Sequence, residues 1–560
     1  MKLGSRFCGA LVAVVLVATS CSSSSTPSGG GAKQGGELRF GTASTIDSLN
    51  PFKAFQQDAY TLFGYTYPFL ITYDTTSVTF KPAFATSWKQ SPDSLTWTFH
   101  TTPGAKWSDG KPLTAKDAAW TINTIVKYQN KGTSCCAGYV ANVKNAKATD
   151  NNTLEVHYSK PSGEVLPNLQ QLPILPEHVW AKFATGNGYQ LKRYPNAPVG
   201  GKPVVSGGPF MLVKYQKNDI ALFQRNPNFW GTKPHIDGWG LQYYSNDDAM
   251  ISALKNGELD AAESIPPTAI DALKSAGVKI SEVPGLELRD FIINSNPNKT
   301  THRELLNPLV KEAFDSAIDR QKIVKTAWLG TAQPGASLVP PTTGNAPGTS
   351  IPWSDPSIHP APFNLNKANR LLDKAGYKKG SDGVRVADGH EMDYQVIFPH
   401  DEAGPGDRSF SIMQADFAKI GVKLTQRSLD DTAAYNEIVA PGGKYLNFDL
   451  ALWDWVPLVD PDFILYVMTC NSWNIWNDSG YCNKRYDALY KKQGQTVDPA
   501  KRAAIVHKMQ DIIAKDKPYL IYAYNQSIDA YTTQWAGFVQ SPQGILNPLS
   551  TQTLTQVHRV

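Results

Sequence analysis

The stretch FDLALWDWVPLVDPDF, Phe448 to Phe463, is where the class of fold is most legible. Its opening FDLALW reads as a strand with apolar residues on both faces, the pattern expected when helices cover both sides of a sheet. Trp453 and Trp455 then share one face, Asp454 takes the other at the carboxyl end, and Pro457 stops the run. Open α/β sheets bind ligands in crevices outside the carboxyl ends of their strands. The segment therefore reads as part of a ligand wall; the alternative is that the tryptophans are core and Asp454 is a cap or hinge. Asp460-Pro461 and Asp462 read as the turn into the next helix.

The neighbouring segments fit the same class. GELRFGTA and SLTWTFHTTPGAKWSDG are predicted strands, the second running into turns. PLTAKDAAWTINTIVKY is predicted to start a helix at Thr114, with Asp117 at the third helical position as in a capping box. NPLVKEAFDSAIDRQKIVKTAW is predicted as one amphipathic helix, since Val310, Ala313, Phe314, Ala317, Ile318, Ile323 and Val324 follow the helical period. A helix over NLNKANRLLDKAGY, a hairpin signal at Asp382-Gly383 and Asp388-Gly389, a strand EMDYQVIF, a helix SFSIMQADFAKIGV and the segment VKLTQRSL follow. Strands and helices alternating in this way imply an α/β domain with a mixed sheet. No internal repeat is present.

Composition and ends set further bounds. The chain has 560 residues, 41% hydrophobic and 11% aromatic, enough for two or three domains with large cores. A net charge of +5 is spread without basic runs, which argues against nucleic-acid binding. Lys2 and Arg6 precede the short apolar run Ala10 to Ala18 and the sequence Ala18-Thr19-Ser20-Cys21, a secretory signal rather than a spanning helix. Residues 1–20 are expected to be a lipoprotein signal peptide with Cys21 acylated; the alternative is ordinary cleavage beside a chance cysteine. Residues 21–35, CSSSSTPSGGGAKQG, read as a flexible tether. The protein is thus expected outside the cytoplasm, held to the outer face of the cytoplasmic membrane by lipid on Cys21.

Outside the cytoplasm, Cys470 and Cys482 are expected to pair across a short loop and to hold NSWNIWNDSGY beside the cleft. Cys135 and Cys136 are adjacent, which permits a strained vicinal bridge or two thiols; the bridge is the expectation. Neither pair has histidines at zinc-ligand spacing, so no metal and no cofactor is expected. Enzyme signals are sparse. Ser252 to Lys255, SALK, has the serine-to-lysine spacing of penicillin-interacting acyl-enzymes, but no KTG accompanies it, and a surface helix is the simpler reading. G-x-S-x-G, H-E-x-x-H and phosphate-cradling glycine loops are absent.

In order along the chain, GGELRFGTASTIDSLNPF, KPAFATSWKQSPDSLTWTFHTTPGAKWSDGKPLTAKD, SGGPFMLVKY, RNPNFWGTKPHIDG, NGELDAAESIPP, VKEAFDSAIDRQKIV, LNKANRLLDKAGY, WDWVPLVDPD, the segment from YCNKRYDALY to DKPYLIYAY, and WAGF resemble the extracellular solute-binding proteins of peptide-type ABC importers, the oligopeptide, dipeptide and nickel-binding family. The resemblance implies an α/β, two-lobed periplasmic-binding-protein-like fold of type II, with two crossover strands and an extra inserted subdomain. It places lobe I at 36–72, 196–285 and 525–560, the insert at 73–195 and lobe II at 286–524. It implies ligand contacts from Phe55, Gln56, Gln57 and Asp58, from Ser264 and Ile265, and from Trp453, Asp454 and Trp455, with Tyr139 from the insert. Peptide binders of this family hold the ligand's α-amino group with a carboxylate three residues after the matching tryptophan. Val456 stands there in this chain, so Asp454, Asp58 or Glu263 would have to supply the charge from a shifted position. The implied function is a monomeric, lipid-anchored protein, not an enzyme, that captures a small peptide or related solute and delivers it to permease subunits. The rival readings are a ligand-sensing receptor or adhesin with the same cleft, and a serine acyl hydrolase using Ser252 and Lys255.

Overall fold

The computed structural model describes residues 33–75, 79–439, 448–547 and 550–560. The signal segment, Cys21 and the tether up to residue 32 lie outside the described residues.

Two long strands, Lys279–Ile293 and Tyr519–Tyr531, run antiparallel through the centre of an eleven-stranded sheet. On one side of this pair the sheet continues through Ala261–Ala262, Glu37–Thr42, Gly238–Tyr243, Ile220–Arg225 and Phe210–Gln216. On the other it continues through Leu450–Trp455, Asp393–Pro399 and Lys423–Leu429, with Ala332–Pro334 on Tyr519–Tyr531. Pairing between the two long strands is interrupted between Pro284 and Leu288. Pro284 has no N–H to give to the ladder. At Gly285 a Cβ would lie 2.4 Å from the carbonyl oxygen of Asn525, so only glycine allows the strands to approach there. The break divides the sheet into two halves around one crossing pair.

The opening strand, Leu450–Trp455, lies between Lys279–Ile293 and Asp393–Pro399 and is covered on both faces, as its apolar pattern predicts. Leu450 and Leu452 join a core with Phe314 and Phe417 from helices Pro308–Ala317 and Pro405–Lys419, whose rings sit 4.9 Å apart. Ala451, Trp453 and Trp455 face a second core with Val506, Met509 and Ile513 of helix Pro499–Asp516. Each fully buried side chain of this size contributes roughly 1.5–3 kcal/mol.

A separate antiparallel sheet of four strands has the order Ala85–Gln90, Thr96–Thr101, Thr153–Tyr158, Val143–Ala148, and helix Ala115–Tyr128 packs on it. That helix starts where predicted. Thr114 accepts from the Lys116 amide at 3.3 Å, and Asp117 accepts from the Thr114 amide at 3.0 Å.

The helix predicted over NPLVKEAFDSAIDRQKIVKTAW is broken. It runs Pro308–Ala317, becomes extended at Ile318, and resumes as Arg320–Lys322 and a wider turn Ile323–Ala327. Buried Arg320 donates to Asp315 at 2.6 Å and to the Ile521 carbonyl at 2.9 Å. Satisfying five donors in the interior outweighs one continuous helical ladder.

Cys470 and Cys482 form a disulfide. Cys135 and Cys136 do not: they are thiols whose sulfurs lie 2.9 Å apart, correcting the expected vicinal bridge. A bridge between sequence neighbours closes a strained ring, and its absence leaves that strain out of the turn Ser134–Cys136. Replacing both Cys470 and Cys482 by serine is expected to lower stability by about 3 kcal/mol, given the sequence separation of 12. Urea unfolding with and without reductant measures it: the wild type should lose as much in reductant as the variant has already lost.

Candidate functional site

Where the crossing ladder breaks, a cavity of about 650 Å³ opens between the two halves of the sheet. Phe55, Gln56, Gln57, Asp58, Tyr139, Ser264, Ile265, Trp453, Asp454 and Trp455 all line it. The loop before helix Gln57–Thr66 is held by Asp47, which accepts the amides of Phe55 at 3.0 Å and Gln56 at 3.2 Å. Burial pushes the Asp47 carboxyl up to about 6 despite those amides. Phe55 crosses the cleft and stacks on Tyr435, ring centroids 4.4 Å apart. Trp476 reaches across as well, donating to the carbonyl of Cys135 at 3.4 Å. The two walls therefore touch, and the cavity lies between them.

The three residues of the WDW segment have different roles. Trp453 is half-buried on the cleft wall. Trp455 is only 9% exposed. Its indole N–H lies 3.0 Å from Asp478 and 3.1 Å from the Tyr519 hydroxyl, and its ring meets Phe463 and Trp476 edge to face. Trp455 is thus mainly a core residue with one side on the cleft. Asp454 keeps 34% of its side chain exposed to the cavity and stands 3.7 Å from Arg289. Burial, opposed by Arg289 and helped by Glu287, with which it shares a hydrogen bond, pushes its carboxyl well above the usual range.

Arg289 organises this wall, and sequence reasoning missed it. It pairs with Glu287, with Glu402 at 3.0 Å and with Asp454, and its guanidinium lies 5.4 Å from the centre of the Trp328 ring. For Glu287, burial acts upward, but the Arg289 charge and three hydrogen bonds outweigh it and hold the carboxyl below its ordinary value. Glu402, which is buried, is pushed up in spite of Arg289. The signal in the chain was LELRDF, where Glu287, Arg289 and Asp290 interrupt an otherwise apolar strand.

The opposite wall carries Asp58, Glu263 and Asp529. Asp58 accepts from the Thr42 hydroxyl at 2.9 Å. Asp529 accepts amides of Ile545 at 2.8 Å and Ser264 at 3.3 Å. Ser264 is held in the left-handed region, φ 52°, which turns the chain into the cleft. Ser252 and Lys255 lie exposed on helix Asp247–Lys255 and do not line the cavity. They share no cleft with a substrate, which removes the hydrolase reading. Cys470, Cys482 and Asp487 are close enough together to suggest a metal site, but the disulfide consumes the two thiolates.

Two lobes joined by a pair of crossing strands, with a polar and aromatic cavity between them at the crossing, define a cleft-type binding protein. The profile of bacterial extracellular solute-binding proteins, family 5, matches residues 79–476, and the chain belongs to that family. It is a solute-binding protein and not an enzyme. Protein XP55 of Streptomyces lividans is 27% identical over 555 residues, covering 97% of this chain and 94% of that protein. The dipeptide-binding protein of Pseudomonas aeruginosa is 27% identical over 488 residues, covering 82% of this chain and 84% of its own. The fold matches the oligopeptide-binding protein AppA of Bacillus subtilis, solved with a nonapeptide, at TM-score 0.82 and 20% identity, over 95% of this chain and all of that one. Among the described residues no helix is long and apolar enough to cross a membrane.

Proposed function

We propose that the protein is the lipid-anchored binding component of an ABC importer, capturing peptides or related small solutes in the interlobe cleft and delivering them to permease subunits. It acts as a monomer tethered through Cys21 by residues 21–35. Its lobes divide as 36–72, 196–285 and 525–560 against 286–524, with 73–195 inserted in the first; the interruption of the crossing ladder after Pro284 supports this division. The observation that carries the reading is the cavity itself, set between both walls and lined by Trp453, Asp454 and the Phe55–Asp58 loop. Large rigid aromatic surfaces suit ligands of varied side chains, while a few fixed carboxylates orient one polar end. The peptide ligands of relatives support the solute class.

Mass spectrometry of material that copurifies, followed by calorimetry with that solute, tests the reading. Trp453→Ala is expected to weaken binding about tenfold with little effect on unfolding of the empty protein. Trp455→Ala is expected instead to cost about 3–5 kcal/mol of stability, as a buried tryptophan should. Equal affinity of Trp453→Ala and wild type would place the site elsewhere in the cleft. The anchor is tested separately by fatty-acid labelling, which Cys21→Ser should abolish, and delivery by loss of uptake when the gene is deleted.

A further inference from the structure

Glu263 is 7% exposed, it lines the cavity, and its Oε1 is buried without a hydrogen-bond partner among the described residues. Among those residues, Glu402 and Gln526 of the cleft each have a buried oxygen without a partner as well, but Glu402 is paired with Arg289, whereas Glu263 has no cation beside it. Its carboxylate neighbours are already engaged: Asp58 with the Thr42 hydroxyl, Asp529 with two backbone amides. None of the three is paired with a lysine, arginine or histidine among the described residues, whereas the carboxylates of the facing wall share Arg289. A buried carboxyl without a partner is costly, and three acids gathered at one wall raise that cost. One cationic group entering from the cleft would satisfy all three.

We propose that the solute carries two cationic groups, and that Glu263, Asp58 and Asp529 form a pocket for the second, across the cleft from Asp454. The inference rests on the reading of this cavity as the solute site and narrows its ligand to a class: a peptide with a lysine or arginine side chain, or a small diamine. Specificity comes from the geometry. Asp58 and Asp529 are fixed in place by their donors, while Glu263 has its hydrogen-bonding capacity free for an ammonium or guanidinium group. The state of the empty pocket supports this. Burial first, and then the charges of Asp58 and Asp529, push Glu263 well above the usual carboxyl range, and burial pushes Asp58 and Asp529 up to about 6. Tyr65, also buried beside Glu263, is pushed up by burial and by that carboxylate. An arriving cation reverses these shifts, so binding should release protons to the buffer.

The test is calorimetry at neutral pH on the mature protein with alanine tripeptides carrying lysine or norleucine at each position in turn, and with putrescine and cadaverine. At one position lysine is expected to bind about tenfold or more tighter than norleucine. Its measured enthalpy should vary with the ionisation enthalpy of the buffer, that of the norleucine peptide much less. Glu263→Gln should bring the lysine-to-norleucine ratio close to one. If norleucine peptides bind and lysine gives no advantage at any position, the cation pocket is wrong while the peptide reading stands. A lysine preference that survives Glu263→Gln also overturns the pocket. If diamines bind in a Glu263-dependent way and no peptide does, the pocket stands and the peptide reading falls; if neither binds, both fall.

Discussion

Arg289→Met is expected to lower the stability of the protein by about 3–5 kcal/mol at neutral pH, with the deficit shrinking as the pH falls. The guanidinium is 13% exposed and is the cation shared by Glu287, Glu402 and Asp454. Removing it leaves buried Glu402 beside the part-buried Glu287 and Asp454, a larger penalty than the loss of the pairs themselves. The pH dependence follows from the direction of each shift. In the wild type Glu287 lies below its ordinary value, so its contribution is present above the unfolded carboxyl range and is lost as pH falls through the folded value. Without Arg289 all three would lie above their unfolded values. Their stabilisation is then full at low pH and is lost as pH rises through the raised values. Urea unfolding from pH 4 to 8 measures both trends; a deficit that stays constant with pH would mean that the arginine acts through packing on Trp328 alone.

A second large effect is expected where the four-stranded-sheet region meets the segment after Phe448. Arg502 is bidentate to Asp460 at 2.6 and 2.7 Å and donates to Gln493 Oε1 at 2.8 Å. Gln493 in turn donates to Asp462 at 2.8 Å and to Glu164, and the Gly163 amide donates to the Gly494 carbonyl at 2.9 Å. Glu164 and Asp462 both accept from Gln493 and are expected to hold one proton between them. Burial and the charge of Asp462 push Glu164 well above its usual range, and burial raises Asp462 as well. The contact is therefore fully formed below the unfolded carboxyl values and weakens as pH rises through the raised ones. Arg502→Met should cost about 3–5 kcal/mol by stranding Asp460. Glu164→Gln keeps a hydrogen bond to Asp462 but removes the titrating proton. It should flatten the pH dependence of hydrogen exchange at Gly163 and Gly494 between pH 5 and 9, and an unchanged slope would rule the shared proton out.

The role of the WDW segment shows how far local pattern reaches. Its strand, its burial on both faces and its place at a cleft were all legible, because an apolar run ended by a carboxylate and a proline is a property of neighbouring residues. The division of labour within it was not. Trp455 became a core residue because Asp478 and Tyr519, distant in the chain, meet its indole N–H. Asp454 faces Arg289 because Leu450–Trp455 pairs with Lys279–Ile293 in the register that sets Asp454 opposite Arg289. The broken helix at Ile318 has the same origin, since Arg320 turns inward to a carbonyl of the second crossing strand.

By itself, then, the sequence determined the α/β class, the helix cap at Thr114, the Cys470–Cys482 pairing and the collinear segments that mark the family. These depend on side-chain type and short-range spacing. Only the tertiary structure decided which charges meet. The Arg289 cluster joins positions as far apart as 287 and 454, and the Glu263 wall joins Asp58 to Asp529. The energy of a buried charge depends on every group within a few ångströms, and those groups come together only when the crossing strands bring the two halves of the chain into one sheet.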